Sequence, residues 1–143
     1  MRKVYVSGAL THAPNPGEVK GFYEAIGRLC REKGLEPYVP HLNTDPVKHP
    51  QVTPREVYKT DKHHVSTSDL IISYVGLPSI GVGIEIGWAE TLDIPVILLF
   101  EENERVSRLA RGIPNLAAEI RFRDFEHALA LLGDILEAKG LWD

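Results

Sequence analysis

The sequence predicts an α/β fold of the doubly wound, Rossmann-like or flavodoxin-like type, in which helices cover both faces of a five-stranded parallel sheet. Three observations predict it. Short apolar segments alternate with amphipathic segments five times along the chain, which is typical of a parallel sheet with crossover helices. The two most apolar segments, residues 69–75 and 94–100, are typical of strands buried on both faces. The length of 143 residues fits one domain, residues 1–143.

The pattern begins with a strand at residues 3–7, which is rich in β-branched and aromatic side chains. Apolar residues then recur at helical spacing over residues 18–33, and Gly34 ends that helix. A second strand follows at residues 35–39. Its Pro37 predicts a position at the edge of the sheet, because an edge strand tolerates the loss of one N–H donor.

A long loop and a capped helix follow the second strand. Residues 40–52 contain three prolines and several polar turn formers, which predict a surface loop. Thr53 predicts the start of a helix, because Pro54 follows at the first helical position and Glu56 completes a capping box. This helix is expected to reach about Ser68.

The second half of the chain repeats the alternation. After the strand at residues 69–75, the sequence predicts a glycine-rich turn at residues 76–83 and a short helix at residues 84–92. The remaining predicted elements are a strand at 94–100, a charged and partly helical segment at 101–116, a weak strand at 118–122 and a helix at 125–139 that ends at Gly140. Ligands of such sheets bind beyond the carboxyl ends of the strands.

Composition narrows the expected partners and compartment. The net charge is −4 without a basic run, so no nucleic-acid partner is expected. No apolar run reaches membrane-spanning length and the first residues do not resemble a signal peptide, so we expect no membrane partner and a cytoplasmic location. Cys30 is the only cysteine, which fits a reducing compartment. The expected partners are a small molecule and further copies of the chain, as a homodimer or higher homo-oligomer.

The stretch that points to chemistry is residues 78–85, Pro-Ser-Ile-Gly-Val-Gly-Ile-Glu, directly after the third strand. Gly81 and Gly83 let the backbone approach a ligand, and Ser79 together with the free N–H groups of the next helix suits an anion. Glu85 is expected in the first helical turn, where the helix dipole stabilises a carboxylate that can act as nucleophile or general base. Spacing alone equally fits a tight strand-to-helix turn with a charge at the helix start.

Gly8 belongs to the same predicted site. It follows the first strand, and the carboxyl ends of parallel strands meet at one edge of the sheet, so we expect it to contact the substrate. The histidines lack the spacing of zinc ligands, and we expect neither a metal nor another cofactor.

Residues 78–87, with residues 68–72 before them, resemble the signature of the nucleoside 2-deoxyribosyltransferase superfamily. The resemblance is closest to the branch of 2′-deoxynucleoside 5′-phosphate N-hydrolases. It extends from Val4 to the Arg111-Gly112 region. It implies a single domain of this type that cleaves the N-glycosidic bond of a nucleoside or nucleotide.

The resemblance also implies roles for individual residues. It implies that Glu85 is the nucleophile that forms a glycosyl-enzyme and that Tyr5 contacts its carboxylate. It implies that Asp61 helps to bind the sugar and assists catalysis. Ser79 is expected to bind a 5′-phosphate, and Ser107 is expected to reach the site of a neighbouring subunit.

The exact reaction stays open at this point. Ala9 and Thr11 stand where the hydrolase branch has a serine and an arginine, so the requirement for a phosphate, the base and the sugar are undecided. Water as acceptor gives hydrolysis with release of the free base, whereas a second base gives transfer of the deoxyribosyl group. A non-catalytic nucleotide- or flavin-binding module is the alternative from another class. Glu85 argues against it, because binding a phosphate gains nothing from a nearby negative charge.

Overall fold

A computed structural model describes residues 1–138 of the chain. Five strands form one sheet in the order β2-β1-β3-β4-β5, and every neighbouring pair is parallel. The strands are β1 (Lys3–Ser7), β2 (Glu36–Tyr38), β3 (Leu70–Tyr74), β4 (Val96–Glu101) and β5 (Leu116–Phe122). The predicted α/β fold is confirmed, with Pro37 in the edge strand β2 and the apolar β3 at the centre.

Helices pack on both faces of the sheet. Within residues 1–138 they are α1 (Pro16–Glu32), α2 (His41–Thr44), α3 (Pro54–Ser66), α4 (Ile80–Thr91), α5 (Arg108–Arg111) and α6 (Phe125–Glu137). The buried residues form two clusters, one between the sheet and α1 with α6, the other between the sheet and α3 with α4. Each cluster is one half of a doubly wound core.

The alternation of side chains along β1 decides which residues reach the functional face. Val4 and Val6 pack in the cluster with α1 and α6, whereas Tyr5 packs in the cluster with α3 and α4. Successive side chains of a strand point to opposite faces. Ser7 therefore shares the face of Tyr5, and both side chains are buried there.

The predicted capping box at the start of α3 is present in part, because Thr53 caps the helix but Glu56 bonds the Thr53 hydroxyl and not its backbone N–H. The backbone N–H of Glu56 donates to Thr53 Oγ1 at 3.2 Å, and Thr53 Oγ1 lies 2.9 Å from Glu56 Oε1. The helix ends at Ser66, two residues before the predicted end. The predicted end of the last helix, at residues 139–140, lies outside the described residues.

Two predictions about the loops were wrong. A short helix, α2, lies inside the segment that was expected to be a loop, where Thr44 Oγ1 donates to the carbonyl of Pro40 at 3.0 Å. Helix α4 begins at Ile80 instead of residue 84, so Gly81 and Gly83 are helical and do not form a turn. Ser79 caps this helix, and the burial of Val82 offsets the low helix propensity of the glycines.

None of the helices in residues 1–138 has both the length and the apolar character that a membrane span requires.

Candidate active site

A cavity of about 740 Å³ opens at the carboxyl edge of the sheet. Its walls are the segment after β1, the segment with α2 that precedes α3, the first turns of α3, and α4 from its start to Trp88. The volume lies within the range of small-molecule sites. Gly8, Asp61, Ser79, Gly81 and Glu85 all line it, so the structure brings together five of the residues that the sequence singled out.

Glu85 is the central polar residue of this cavity. Its side chain projects from α4 and is 8% exposed. The Tyr5 hydroxyl donates to Oε2, and Ser7 Oγ donates to Oε1 at 2.8 Å. Each carboxylate oxygen therefore has a fixed partner from β1, and both hydrogen bonds orient the carboxyl group.

The ionisation of Glu85 differs from the sequence-based expectation. The residue lies in the second turn of α4, beyond the turn in which the helix dipole acts strongly. Burial raises the pKa of its carboxyl group to about 7, the hydrogen bonds from Tyr5 and Ser7 oppose that rise, and the charge of Asp61 adds to it. Glu85 thus exchanges its proton near neutral pH and is not held ionised by the helix.

Asp61 supplies a second carboxyl group. It projects from α3 into the same cavity, and its Oδ1 is buried without a hydrogen-bond partner in residues 1–138. Burial raises the pKa of Asp61 to about 6, and a hydrogen bond from Tyr5 opposes that rise. A buried oxygen without a partner is costly, so the Asp61 carboxyl group has a hydrogen-bonding capacity that this arrangement leaves unused.

The Tyr5 hydroxyl lies beside both carboxyl groups, and the residue is itself held rigidly. It is fully buried, and its ring stacks on Tyr38 at 5.7 Å between centroids. Burial and the charge of Glu85 raise the pKa of the Tyr5 hydroxyl far above its usual value. Tyr5 therefore stays a proton donor in a hydrogen bond throughout the neutral range.

Gly8, Gly81 and Ser79 occupy their positions beside the cavity for different local reasons. A Cβ at Gly8 would clash with the buried ring of Tyr23, so only glycine fits beside the cavity there. A Cβ at Gly81 would meet only Ser79 Oγ at 3.8 Å, so Gly81 is not required by packing and leaves space in the cavity. Ser79 Oγ accepts from the N–H of Val82 at 3.3 Å.

Gly83 and Ser107 lie apart from Glu85. Both line a second cavity of about 520 Å³ on the other side of the start of α4, where Ser107 caps α5 by accepting from the N–H of Ala110 at 3.3 Å. Ser79 borders both cavities. Within one copy of the chain, the structure therefore does not bring Gly83 and Ser107 to the carboxyl groups.

Sequence reasoning missed Ser7 as a site residue. The signal was present, because Ser7 follows Tyr5 by two residues in a strand and must share its face. For metals, residues 1–138 contain no group of three or more His, Cys, Asp or Glu side chains arranged to hold an ion.

Fold and site together define a class of protein. A buried carboxyl group oriented by two donors, beside a second carboxyl group at the switch point of a parallel sheet, is typical of the active site of an α/β enzyme. Burial raises the pKa of both groups, and the Tyr5 hydroxyl lies beside each of them.

Comparison with known proteins identifies the family. The family model described as nucleoside 2-deoxyribosyltransferase matches residues 4–137, and the chain belongs to this family. The predicted class of enzyme is confirmed.

Two curated relatives cover most of the chain. A protein of Methanococcoides burtonii, assigned by inference as 2′-deoxynucleoside 5′-phosphate N-hydrolase 1, is 31% identical over 85% of this chain and 97% of its own length. A protein of Syntrophotalea carbinolica with the same inferred name is 26% identical over 94% of each chain. Both agree with the branch that the sequence resembles most closely.

Solved structures of enzymes with related names resemble this chain as well. The CMP N-glycosidase of Clostridium botulinum superposes with a TM-score of 0.72, at 27% identity, over 94% of this chain and 98% of that one. The 2-deoxyribosyltransferase of Bacillus psychrosaccharolyticus, at 19% identity and a TM-score of 0.62, shows the same fold.

Proposed function

We propose that the protein cleaves the N-glycosidic bond of a nucleoside or nucleoside 5′-monophosphate through a glycosyl ester on Glu85, and that it releases the free base. One observation carries the proposal: the buried carboxyl group of Glu85 faces a nucleotide-sized cavity while Tyr5 and Ser7 hold both of its oxygens. The family of the chain and the names of its relatives support this chemistry.

The first chemical step forms one bond and breaks another. A carboxylate oxygen of Glu85 bonds to the anomeric carbon of the sugar, and the bond from that carbon to the base nitrogen breaks with its electron pair on the base. Asp61, whose pKa is raised to about 6, donates the proton that neutralises the leaving base. Positive charge that develops on the sugar is stabilised by the nearby carboxylate.

The second step returns the enzyme to its first state. Water attacks the anomeric carbon, the ester bond to Glu85 breaks, and the ionised Asp61 accepts the proton of the water. Two displacements at the same carbon retain its configuration, as in glycosidases that use two carboxyl groups.

The described part of the cavity wall has no lysine or arginine, and His12 is its only side chain that can carry a positive charge. The binding of a 5′-phosphate therefore depends on neutral donors, namely the Ser79 hydroxyl and free N–H groups at the start of α4. This charge pattern favours uncharged nucleosides alongside the 5′-monophosphates that the relatives' names specify.

Transfer to a second base is the other candidate reaction. The description of the family names it, and the cavity is large enough for an incoming base to occupy the place of the departed one. Hydrolysis and transfer share the glycosyl-enzyme and differ only in the acceptor.

We further propose that a second copy of the chain adjoins the site. Ile80 and Leu109 are each 87% exposed beside the two cavities, and Ser107 is available there. Exposed apolar side chains of this size favour an interface. Light scattering after size exclusion should give the mass of a dimer or higher oligomer, and a monomeric mass at micromolar concentration would contradict this.

The deciding experiment is chromatography of reactions with a panel of nucleosides and 5′-monophosphates, with and without adenine or cytosine as acceptor. We expect release of free base, and exchange products if transfer occurs. Mass spectrometry after acid quench should find the sugar attached to the peptide that contains Glu85. A panel without base release under any condition would refute the proposal.

A further inference from the structure

Two aromatic side chains form a corner in the cavity wall, and one of them, Trp88, also packs against the core cluster between the sheet and α3 with α4. The rings of Tyr58 and Trp88 meet edge to face, with centroids 5.3 Å apart and planes at 82°. Both residues line the cavity, and Tyr58 remains 50% exposed. We refer to Tyr58 and Trp88 as the aromatic corner.

Helical spacing links this corner to the reacting groups. Trp88 follows Glu85 by three residues in α4, and Tyr58 precedes Asp61 by three residues in α3. Residues three apart lie on the same side of a helix, less than one turn from each other. Each carboxyl group therefore has an aromatic ring as its neighbour along its own helix, and the two rings meet.

The opposite end of the cavity has a different character. Ser79, Gly81 and the free N–H groups at the start of α4 lie there, before Glu85 along the helix. In a nucleoside whose anomeric carbon is at Glu85, the polar 5′ end of the sugar lies on one side of that carbon and the planar base lies on the other. The polar wall suits the 5′ end of the sugar, and the aromatic wall suits the planar end.

We propose that the aromatic corner is the binding site for the nucleobase, which stacks on Trp88 and contacts the edge of Tyr58. This inference rests on the proposed function. It implies that the site selects substrates with a planar, unsaturated leaving group, because any base with a π face can stack there whereas a saturated group of equal size cannot.

A neighbouring lysine holds the corner in place. Lys62 Nζ lies 3.4 Å from the Tyr58 hydroxyl, and it stands 5.5 Å and 6.0 Å from the ring centroids of Tyr58 and Trp88. A cation at these distances is attracted to the faces of both rings and favours the arrangement in which they meet. The corner is thus preformed before a base arrives, which reduces the entropic cost of binding.

The first test observes the base directly. The sequence has two tryptophans, so Trp142→Phe leaves Trp88 as the only tryptophan fluorophore, and Glu85→Gln prevents turnover. We expect 2′-deoxyadenosine and its 5′-monophosphate to quench about a third or more of the fluorescence in a saturable manner, because a stacked base quenches indole. 2-Deoxyribose 5-phosphate, which lacks a base, should leave it unchanged.

The second test uses kinetics with the panel compound that the wild-type protein cleaves best. Trp88→Leu should raise KM about tenfold or more with kcat changed less than about threefold, because stacking acts equally on substrate and transition state. Trp88→Phe keeps a ring and should restore most of the affinity. Leu92→Ala, at the end of the same helix and outside the cavity lining, is the matched control and should behave as wild type.

The outcomes separate this inference from the proposed function. Base-independent quenching, no quenching by either base-bearing compound, or a wild-type KM in Trp88→Leu would overturn the aromatic corner as the base site. Base-dependent quenching without base release from any panel compound would refute the proposed catalysis and support the corner as a base-binding site.

Discussion

Two tyrosine–glutamate pairs lie near the carboxyl edge of the sheet, on opposite faces, and only one of them borders either of the two cavities described above. Tyr5 donates to Glu85 on the face of α3 and α4. On the other face, the Tyr74 hydroxyl lies 2.7 Å and 3.0 Å from the two carboxylate oxygens of Glu101. Both pairs join a strand tyrosine to a glutamate that is distant in the sequence.

The surroundings of the two pairs differ. Glu85 is buried, borders the 740 Å³ cavity and has a second donor in Ser7. Glu101 is partly exposed at the end of β4, and neither of the two cavities is lined by Tyr74 or Glu101. A Cβ at Gly76 would clash with both the Glu101 carboxylate and the Tyr74 hydroxyl, so the space beside that pair is already filled.

The comparison shows that the pair itself does not make a reactive group. Burial beside an open cavity raises the pKa of Glu85 to about 7 and presents its carboxyl group to a ligand, whereas the Tyr74–Glu101 pair closes a gap at the protein surface. The reactivity that we propose for Glu85 therefore rests on desolvation combined with access for a small molecule.

The largest expected effect concerns the two glutamates. Glu85→Gln should lower the rate of base release by at least about a thousandfold, because the amide cannot form the glycosyl ester. Glu101→Gln, the matched change in the other pair, should stay within about twofold of wild type. Chromatography of released base measures both. Equal loss in the two variants would mean that the comparison is wrong.

The second prediction concerns stability against pH. In the folded protein the pKa of Glu85 is about 7 against a usual 4.5, so the folded state binds this proton more tightly than the unfolded state. The stability that this proton contributes to the folded state is fully present below pH 4.5 and is lost as the pH rises through 7. Wild type should therefore lose about 3 kcal/mol of unfolding free energy relative to Glu85→Gln over that window.

Urea unfolding at several pH values measures this difference. Glu101→Gln is the control and should follow the wild-type profile. A wild-type profile that runs parallel to that of Glu85→Gln would show that the carboxyl group of Glu85 is not perturbed by burial.

The third prediction concerns the two tyrosines. Tyr5→Phe removes a hydrogen bond that lowers the pKa of Glu85, so the acidic limb of kcat/KM should move upward by about one pH unit. The rate near neutral pH should fall about thirtyfold, because the lost donor held a charged group.

Tyr74→Phe provides the control for this change. It removes the same hydroxyl from the other pair and should leave the pH profile in place. The profile of kcat/KM against pH is the measurement. An unmoved acidic limb in Tyr5→Phe would exclude Glu85 as the group that this limb reports.

The smallest expected effect distinguishes the two glycines beside the pairs. Gly76→Ala forces Glu101 away from Tyr74 and should destabilise the fold by about 1–2 kcal/mol with little effect on base release. Gly81→Ala has room for its Cβ in α4 and should stabilise the helix by about 0.5 kcal/mol, while KM rises because the methyl group enters the cavity. Thermal unfolding and steady-state kinetics of both variants test this; a KM effect at Gly76 would contradict it.

Periodicity and turn residues predicted the sheet and most of the helices, because βα units depend on local patterns. The glycines were the main source of error. Their low propensity in helices predicted a turn up to Gly83, yet Ser79 caps a helix that already begins at Ile80. The cap and the burial of Val82 determined the outcome, and burial is a tertiary property.

The sequence predicted some residues of the candidate site and missed others. The resemblance pointed to Glu85, Asp61 and Tyr5, and the structure places all three together. Ser7 was overlooked, although its strand position implied it. Ser107 is distant from Glu85 within one copy of the chain, and its proposed role depends on a second copy.

The sequence by itself determined the order of the strands and of the helices other than α2, and the motif that carries Glu85, because both are encoded in short-range patterns. Only the tertiary structure decided the protonation of that carboxyl group. Glu85 meets Tyr5 and Ser7 across about eighty residues of chain, and its desolvation depends on the elements packed around it. Since a pKa reflects the balance of burial against hydrogen bonds, it follows from three-dimensional contacts and not from the helix position that the sequence suggested.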